Sequence, residues 1–306
     1  SITRRGHIKR SPANAYPVSA QEGPAAAGGD PVVDVLAASS VSDAIFISSS
    51  GKAYQEKVYQ IPEGDATSRG IPLRNLIRLA EEEQVVAALP VDDFEQELYL
   101  TMVTLQGQVK RAPLNEIAGA GAGGVIAFNL DQGDELGWAM ITDGEQELLV
   151  TTVSGQTLRF EEGDVLPRSR SAGGIIAIRL AEGDRVTGVD VAQRGSDLLL
   201  VTQQGFAKRT PLKEFPTKSR ATGGVISLHD RYLDLTGPVV AALVVDSDDE
   251  VMLITANGTV LQIEVALLPQ FGRTARGQTV IELRAEDRLS TIIRLPRTAD
   301  REREGE

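Results

Sequence analysis

Short apolar runs recur along the chain, and each one ends in a glycine turn that leads into another short strand. The runs are rich in Val, Ile, Leu and Thr and are bounded by Gly, Asp and Asn, a pattern typical of β-strands. The turn segments are TRRGHIKR, SSSGKAYQ, TLQGQVKR, TVSGQTLR, TQQGFAKR and TANGTVLQ, with glycines at 6, 51, 107, 155, 205 and 258. We predict a hairpin at each of these glycines, because a tight two-residue turn needs a positive φ, which glycine adopts at least cost.

A second glycine precedes another strand in each of the last five units, at 70, 124, 174, 224 and 277. A short acidic turn and a further apolar strand follow it, so each unit contains about four strands and repeats every ~50 residues. Regular four-stranded units of this length are typical of propeller-like rings. We therefore predict an all-β fold over residues 1–297, a six-bladed propeller-like ring of four-stranded repeats.

The two ends of the chain are offset relative to the repeat. The first unit begins at Ser1, almost at its glycine turn, so we expect its leading strand to be missing and a larger parent protein to extend upstream. We expect the last regular segment, STIIRLPR, to close the ring against the first unit, because closure removes exposed sheet edges. Residues 298–306 form a charged tail, which we predict to be disordered.

The bulk composition excludes several classes of function. A hydrophobic content of 42% is enough for a folded core, and the absence of cysteine excludes disulfides and thiolate metal sites. No apolar run is long enough to span a membrane as a helix. The net charge of −12 at pH 7 argues at first against nucleic acid, since nucleic-acid-binding domains are usually basic.

The bases concentrate at two positions of the repeat, which answers that objection. One set of bases follows the first glycine: Lys9, Arg10, Lys52, Lys57, Lys110, Arg111, Arg159, Lys208 and Arg209. A second set precedes the second glycine: Arg69, Arg168, Arg170, Lys218, Arg220, Arg273 and Arg276. Arg4, Arg5, Arg74 and Lys213 complete the candidate nucleic-acid-binding set. The third unit, with LNEIAGAGAGG, has no base before its second glycine.

Acidic residues favour two other positions, the turn after the second glycine and the loop before the fourth strand. In a ring of equivalent units, one position in the repeat corresponds to one surface. We therefore predict a belt of bases and a separate acidic face, a separation that the net charge conceals. The alternative is that these bases only make the turns soluble.

No catalytic or cofactor-binding constellation is present. His7 and His229 lie far apart in the sequence, and GAGAGG at 119–124 lacks the Lys-Ser/Thr of a phosphate-binding loop. The acidic stretches DGEQE and DSDDE are interpreted as solvated loops rather than cation sites. We expect no metal, no cofactor and no enzymatic activity in this fragment.

Three segments resemble a known family: GFAKRTPLKEFPTKSRATGGVISL, GKAYQEKVYQIPEGDATSRGIPLRNLI and SAGGIIAIRLAEGDRVTGVDV. They are similar to the C-terminal domain of the A chain of bacterial DNA gyrase and to its topoisomerase IV counterpart. The resemblance covers residues 1 to about 297 and implies a β-pinwheel, in which blades exchange strands with their neighbours. It also implies a basic rim that binds and wraps duplex DNA without sequence specificity, in support of DNA supercoiling.

The resemblance also implies how the domain fits into a larger enzyme. DNA cleavage would belong to an upstream domain, and ATP hydrolysis to a partner B subunit reached through the full-length A subunit of a type IIA topoisomerase. A cytoplasmic, nucleoid-associated location and a monomeric isolated domain are implied as well.

One departure from the family pattern leaves alternatives open. Gyrases carry a basic box resembling Gln-Arg-Arg-Gly-Gly-Lys-Gly in the first blade, but the matching stretch here is SAQEGPAAAGG, residues 19–29. Gln21 and the glycines remain, while the bases are missing. The overall sequence favours gyrase, with topoisomerase IV as the alternative. A protein-interaction propeller is a more distant alternative, although the Gly-His and Trp-Asp pairs of its commonest class are absent.

Overall fold

A computed structural model describes residues 1–12, 25–26, 30–65 and 68–295 of the chain. The segment matching the basic box therefore lies almost wholly outside the described residues, apart from the backbone of 25–26, and so does the charged tail. The described part is built from small antiparallel sheets, which form the six blades of a β-propeller. The predicted all-β, six-bladed fold is confirmed.

The first blade contains β1 (Ile2–Thr3), β2 (His7–Ile8), β3 (Ala25–Ala26) and β4 (Asp30–Asp34). The second and third repeats supply β5 (Asp43–Ser48), β6 (Lys52–Lys57), β7 (Ile71–Pro72), β8 (Val85–Val91), β9 (Tyr99–Thr104), β10 (Gln108–Pro113), β11 (Val125–Ile126) and β12 (Leu136–Thr142). The fourth and fifth supply β13 (Glu147–Thr152), β14 (Gln156–Glu161), β15 (Ile175–Ile176), β16 (Val186–Val191), β17 (Asp197–Thr202), β18 (Phe206–Pro211), β19 (Val225–Ile226) and β20 (Val239–Val245). The last supplies β21 (Glu250–Thr255), β22 (Val260–Glu264), β23 (Gln278–Thr279) and β24 (Leu289–Leu295). A single turn of helix, α1 (Leu233–Thr236), precedes β20.

Neighbouring repeats exchange their outer strands. In the third blade the strand order is β12-β9-β10-β15, so the outer strand β15 comes from the fourth repeat. The strands β7, β11, β19 and β23 cross in the same way to β2, β6, β14 and β18. Among the described residues the sixth blade has three strands, in the order β22-β21-β24. The exchange expected from the family resemblance is confirmed.

The hydrophobic core lies between adjacent blades rather than within one blade. All six residues of β5 and all six of β17 are buried, because both faces of these strands are covered. Separate apolar clusters join each blade to the next, from the first to the sixth. One of them packs Ile45 and Ile47 of the second blade against Leu100 and Met102 of the third.

The junction between the sixth and first blades is built differently. The Arg4 guanidinium donates to the carbonyl oxygens of Thr255 and Ala256, both at 3.3 Å, and to Ser290 Oγ at 2.9 Å. STIIRLPR, expected to close the ring against the first unit, contacts that unit by a side-chain hydrogen bond rather than by strand pairing: β24 pairs with β21 inside the sixth blade, and Ser290 at its start accepts from Arg4. The expected loss of the leading strand is wrong, because the short β1 pairs with both β2 and β4.

The strand registers define two ends of the blades. The hairpin end carries the turns at Gly6, Gly51, Gly107, Gly155, Gly205 and Gly258, all of which have a positive φ. The loop end is opposite and carries the connections at 92–98, 143–146, 192–196 and 246–249. In the described part of the chain, no helix has the length and apolar character needed to cross a membrane.

Candidate nucleic-acid interface

The segments before the second glycines lead into the outer strands, so they cross the outer edge of the blades. We call them the rim loops: residues 68–70, 118–124, 168–174, 216–224 and 269–277. Four of their bases are exposed and three are half-buried; these are Arg69, Arg168, Lys218 and Arg276, and Arg170, Arg220 and Arg273. The structure therefore brings the second predicted set of bases together along the outer edge of the ring.

The half-buried arginines of the rim loops reach across blade junctions. Arg170 Nη1 donates to the carbonyl oxygen of Ile126 at 3.3 Å, from the third blade to the second. Arg273 makes the equivalent contact with Ile226, at 2.7 Å, between the fifth and fourth blades. Each contact uses only part of a guanidinium that can make five hydrogen bonds, so the remaining N–H groups can bind an anion.

The first predicted set of bases is largely structural, and its assignment to the surface is wrong for four members. Lys110, Lys208, Lys9 and Arg111 expose only 0%, 1%, 3% and 6% of their surface. They lie on the strand after the hairpin, which neighbouring blades and the incoming rim loop cover. Buried side chains in this position cannot contact duplex DNA.

Other bases of the first set are held in ion pairs, most of them toward the loop end of the sheets and one, Lys52 with Glu83, at the hairpin end. Arg209 pairs with Asp197 at 2.9 Å and Lys57 with Asp43 at 2.9 Å, while Arg159 pairs with Glu147. Arg10 pairs with Glu63 and Lys52 with Glu83, both at 3.3 Å. Because a carboxylate partner accompanies each base, these positions contribute little net positive field to the surface.

The four remaining candidates are scattered. Arg4 belongs to the junction of the sixth and first blades, and Arg5 is exposed at the hairpin end. Arg74 is exposed and donates to the carbonyl oxygen of Glu81. Lys213 is exposed in the 3-10 turn Leu212–Glu214, at the loop end.

The acidic residues do not form a single face, contrary to the prediction. The acidic turns after the second glycines lie at the hairpin end, whereas the acidic loops before the fourth strands lie at the loop end. At the hairpin end several acids cap turns: Asp184 Oδ1 accepts from Ser154 N at 3.0 Å, and Asp134 Oδ1 from Gln106 N at 3.1 Å. Acidic residues therefore flank the belt of bases on both sides.

The loop end has the stronger negative character. Its exposed acids are Asp92, Asp93, Glu95, Glu97, Asp143, Glu145 and Asp248. The hairpin end is mixed, since exposed acids there alternate with exposed bases, namely Arg5, Arg78, Arg179, Arg185, Arg231, Arg284 and Arg288. The surface is consequently more positive at the rim and more negative at the loop end.

Two of these bases adjoin the rim loops and were missed by the sequence reasoning. Arg179 N donates to the carbonyl oxygen of Thr222 at 2.9 Å, next to the loop that carries Lys218. Arg78 N donates to Ala122 O at 2.8 Å, so a base adjoins the glycine-rich rim loop that has none of its own. The charge pattern of the sequence does not single out these two arginines, because both precede acidic turns.

The strand-exchanged blades and the basic rim loops define the class of protein: a six-bladed β-propeller with exposed bases along its outer edge. The family model for the DNA gyrase C-terminal domain, beta-propeller, matches residues 42–92, 98–143, 146–193, 196–246 and 249–296. The chain belongs to this family, the C-terminal β-propeller domains of type IIA topoisomerase A subunits.

Curated relatives agree with this assignment. The chain is 42% identical over 300 residues to the DNA gyrase A subunit of Halalkalibacterium halodurans, a match covering 96% of this chain and 36% of that protein. It is 34% identical over 307 residues to the DNA gyrase A subunit of Escherichia coli strain K12, covering 99% of this chain and 35% of that protein. The chain thus spans about a third of the length of these relatives.

Two solved structures share the fold. The C-terminal domain of DNA topoisomerase IV superposes with a TM-score of 0.83 at 24% identity, covering 96% of this chain and 91% of that one. The DNA gyrase A C-terminal domain gives a TM-score of 0.78, also at 24% identity, covering 96% of this chain and 98% of that one.

Proposed function

We propose that this domain binds duplex DNA without sequence specificity and bends it around the rim of the third, fourth and fifth blades. The observation that supports this most is the repeated placement of bases in three successive rim loops. The pairs are Arg168 and Arg170, Lys218 and Arg220, and Arg273 and Arg276. Contacts of this kind reach phosphates, which position DNA but carry no sequence information.

The energetics permit bending. A smooth bend of 40–90° in a 20–30 bp site costs roughly 1–6 kcal/mol. Neutralising about six phosphates releases condensed counterions, which can offset that cost at moderate salt. A curved path also lets DNA reach successive rim loops that a straight duplex would leave behind.

The charge on the blade ends confines the DNA to this path. Exposed carboxylates at the loop end repel phosphates on that side of the rim. Lys213 lies among them, beside Glu214, so we propose that it contributes little to binding. Arg78 and Arg179 extend the positive surface toward the hairpin end.

Within the whole enzyme, the bent segment would be presented for strand passage by the gyrase A chain, acting with its B subunit in the bacterial cytoplasm. The full-length relatives named above are gyrase A subunits, which supports this interpretation. The equivalent role in topoisomerase IV is the second candidate, because residues 19–29 lack the bases of the gyrase box. Relaxed circular DNA and catenated circular DNA, each incubated with ATP and the full-length A and B chains, provide the test. Supercoiling would support gyrase, and decatenation without supercoiling would support topoisomerase IV.

Fluorescence anisotropy with a labelled duplex of about 30 bp tests the binding itself, over about 50–200 mM salt. With six rim bases on phosphates, log K should fall against log salt with a slope of about −5, and it should be similar for unrelated sequences. Arg168→Ala with Lys218→Ala should make that slope shallower by about 2. The matched control, Lys213→Ala, removes an exposed base from the same ring and should leave the slope unchanged. A flat salt dependence or a strong consensus sequence would contradict the proposal.

A further inference from the structure

The position three residues after the hairpin glycine alternates between lysine and other residues around the ring. Lysine occupies it in the first, third and fifth blades, as Lys9, Lys110 and Lys208. Tyr54, Leu158 and Leu261 occupy it in the second, fourth and sixth. A position that takes leucine and tyrosine in some blades is an interior one, and all three lysines are buried there.

The buried ammonium groups bind backbone carbonyls of the rim loops. Lys110 Nζ donates to Ala172 O at 2.9 Å and to Arg170 O, both in rim loop 168–174, and to Ala127 O at 2.7 Å. Lys208 Nζ donates to Gly272 O at 3.1 Å and to Arg273 O in rim loop 269–277. Three donors on one ammonium match several carbonyls of a tight loop at once.

Burying a charged lysine in the core is energetically unfavourable. Burial lowers the pKa of Lys110 to about 8 and that of Lys208 to about 7, because a charged group loses its hydration. A hydrophobic side chain of similar volume is often as good or better for stability at a buried ionic position. Filling the core therefore does not explain why lysine occupies these positions.

Each lysine lies directly beneath bases that are candidates for DNA contact. The carbonyls that Lys110 binds belong to Arg170 itself and to a residue close to Arg168. Lys208 likewise binds the carbonyl of Arg273, three residues before Arg276. The third of these lysines, Lys9, donates to Ser68 O at 2.8 Å, beside Arg69.

We propose that Lys110 and Lys208 are positioning residues for DNA binding. Their ammonium groups fix the backbone of rim loops 168–174 and 269–277, so that the arginines of these loops present their charge toward the outer edge. The assignment rests on the proposed function of the rim, although the anchoring of the loops does not.

The fourth blade provides a natural comparison. Leu158 holds the equivalent position, fully buried, and rim loop 216–224 is fixed by other contacts. Arg220 donates to Asp164 O at 3.1 Å, and Ala221 N donates to Ala177 O at 2.6 Å. A variant of Leu158 therefore changes the same interior position without removing a loop anchor.

The test compares Lys110→Met with Lys208→Met in one chain against Leu158→Met as the matched control. Methionine keeps a long apolar stem and removes the three donors. Amide hydrogen exchange should become about tenfold faster or more in residues 168–174 and 269–277, and stay unchanged in 216–224. The salt slope of duplex binding should become shallower by about 3–4, as the four arginines of the two loops lose their fixed positions. Leu158→Met should change neither readout.

The outcomes separate the two ideas. Unchanged exchange in both loops would overturn the anchoring. Faster exchange with an unaltered salt slope would overturn the positioning role while leaving DNA binding intact. A wild-type chain without salt-dependent DNA binding would overturn the proposed function and the positioning role together, while exchange would still report the anchoring. If the double variant does not fold, each single variant is measured against its own loop.

Discussion

Arg220 donates from Nη1 to the carbonyl oxygen of Ile176 at 3.0 Å, across the junction between the fourth and third blades. Arg170 and Arg273 make the same contact at the junctions on either side. One repeated arginine thus both joins neighbouring outer strands and places positive charge between the blades. Local structure and the proposed DNA-binding surface depend on the same side chains.

Replacing Arg220 by lysine and by alanine separates these two roles. In the wild type, Arg220 Nε donates to the carbonyl oxygen of Asp164 and Nη1 to that of Ile176. Lysine keeps the charge but has a single ammonium in place of these two donors. Arg220→Lys should lower the free energy of unfolding by about 1 kcal/mol and leave the salt slope of DNA binding nearly unchanged. Arg220→Ala should lower the free energy of unfolding and also make the salt slope shallower. Equal salt slopes in the two variants would show that the charge of Arg220 does not contact DNA.

Arg209 should behave in the opposite way. It pairs with the nearly buried Asp197 and donates to Leu268 O at 3.0 Å. Arg209→Ala leaves the Asp197 carboxylate without its main partner, so urea unfolding should show a loss of about 3 kcal/mol. The salt slope of the folded variant should equal that of the wild type. A shallower slope at unchanged stability would return Arg209 to the DNA-binding set.

Two adjacent glycines of the fourth rim loop should differ sharply in their tolerance of alanine. Gly224 has a φ of +75°, and a Cβ there would lie 2.5 Å from Thr157 O. At Gly223 no atom lies within 4 Å of such a Cβ. Gly224→Ala should cost about 2–4 kcal/mol in urea unfolding and Gly223→Ala no more than about 0.5 kcal/mol. Similar losses at both positions would contradict the close approach of this outer strand to its neighbour.

Glu83 should make the stability depend on pH. Burial alone would raise its pKa, but hydrogen bonds from Ser50, Ala80 and Tyr54 and the nearby Lys52 outweigh burial and lower the pKa to about 2. Between that value and the ordinary value of 4.5, the unfolded chain binds more protons than the folded chain. The stabilisation is therefore complete above pH 4.5 and is lost as the pH falls toward 2.

Glu83→Gln should accordingly lower the free energy of unfolding by about 2 kcal/mol at pH 7 and weaken its decline in acid. Urea unfolding at several pH values from about 7 to about 3 measures both effects. Glu82→Gln, at the exposed neighbouring position, is the control and should change little. Parallel acid declines in the wild type and Glu83→Gln would show that the pKa of Glu83 is not lowered.

The sequence predicted the blades well, because the physical requirement was local. Glycine adopts the positive φ of a tight hairpin at least cost, and Val- and Ile-rich runs favour strands, so Gly155 and its flanking residues suffice to predict a turn. The exchange of outer strands was reached only through the family resemblance. Strands of two residues, such as β15, carry too few positions to reveal their partner.

The sequence predicted only part of the candidate interface. Lys208 and Lys218 look equally exposed in a sequence, but one lies beneath a rim loop and the other on it. A signal was nevertheless present, since Leu158 and Tyr54 occupy the repeat position of Lys208 in other blades. The division of the acids between two blade ends could not be predicted, because it depends on the direction of each strand in the sheet.

Bending of DNA around the rim is tested most directly by the topology of circular DNA. Relaxed circles are incubated with the chain and a relaxing topoisomerase, and the linking number is measured after the protein is removed. A rim that wraps DNA predicts a shift in linking number that grows with protein concentration and shrinks with salt. Arg168→Ala with Lys218→Ala should reduce that shift, and Lys213→Ala should preserve it. Tight DNA binding without any change in linking number would contradict wrapping around the rim.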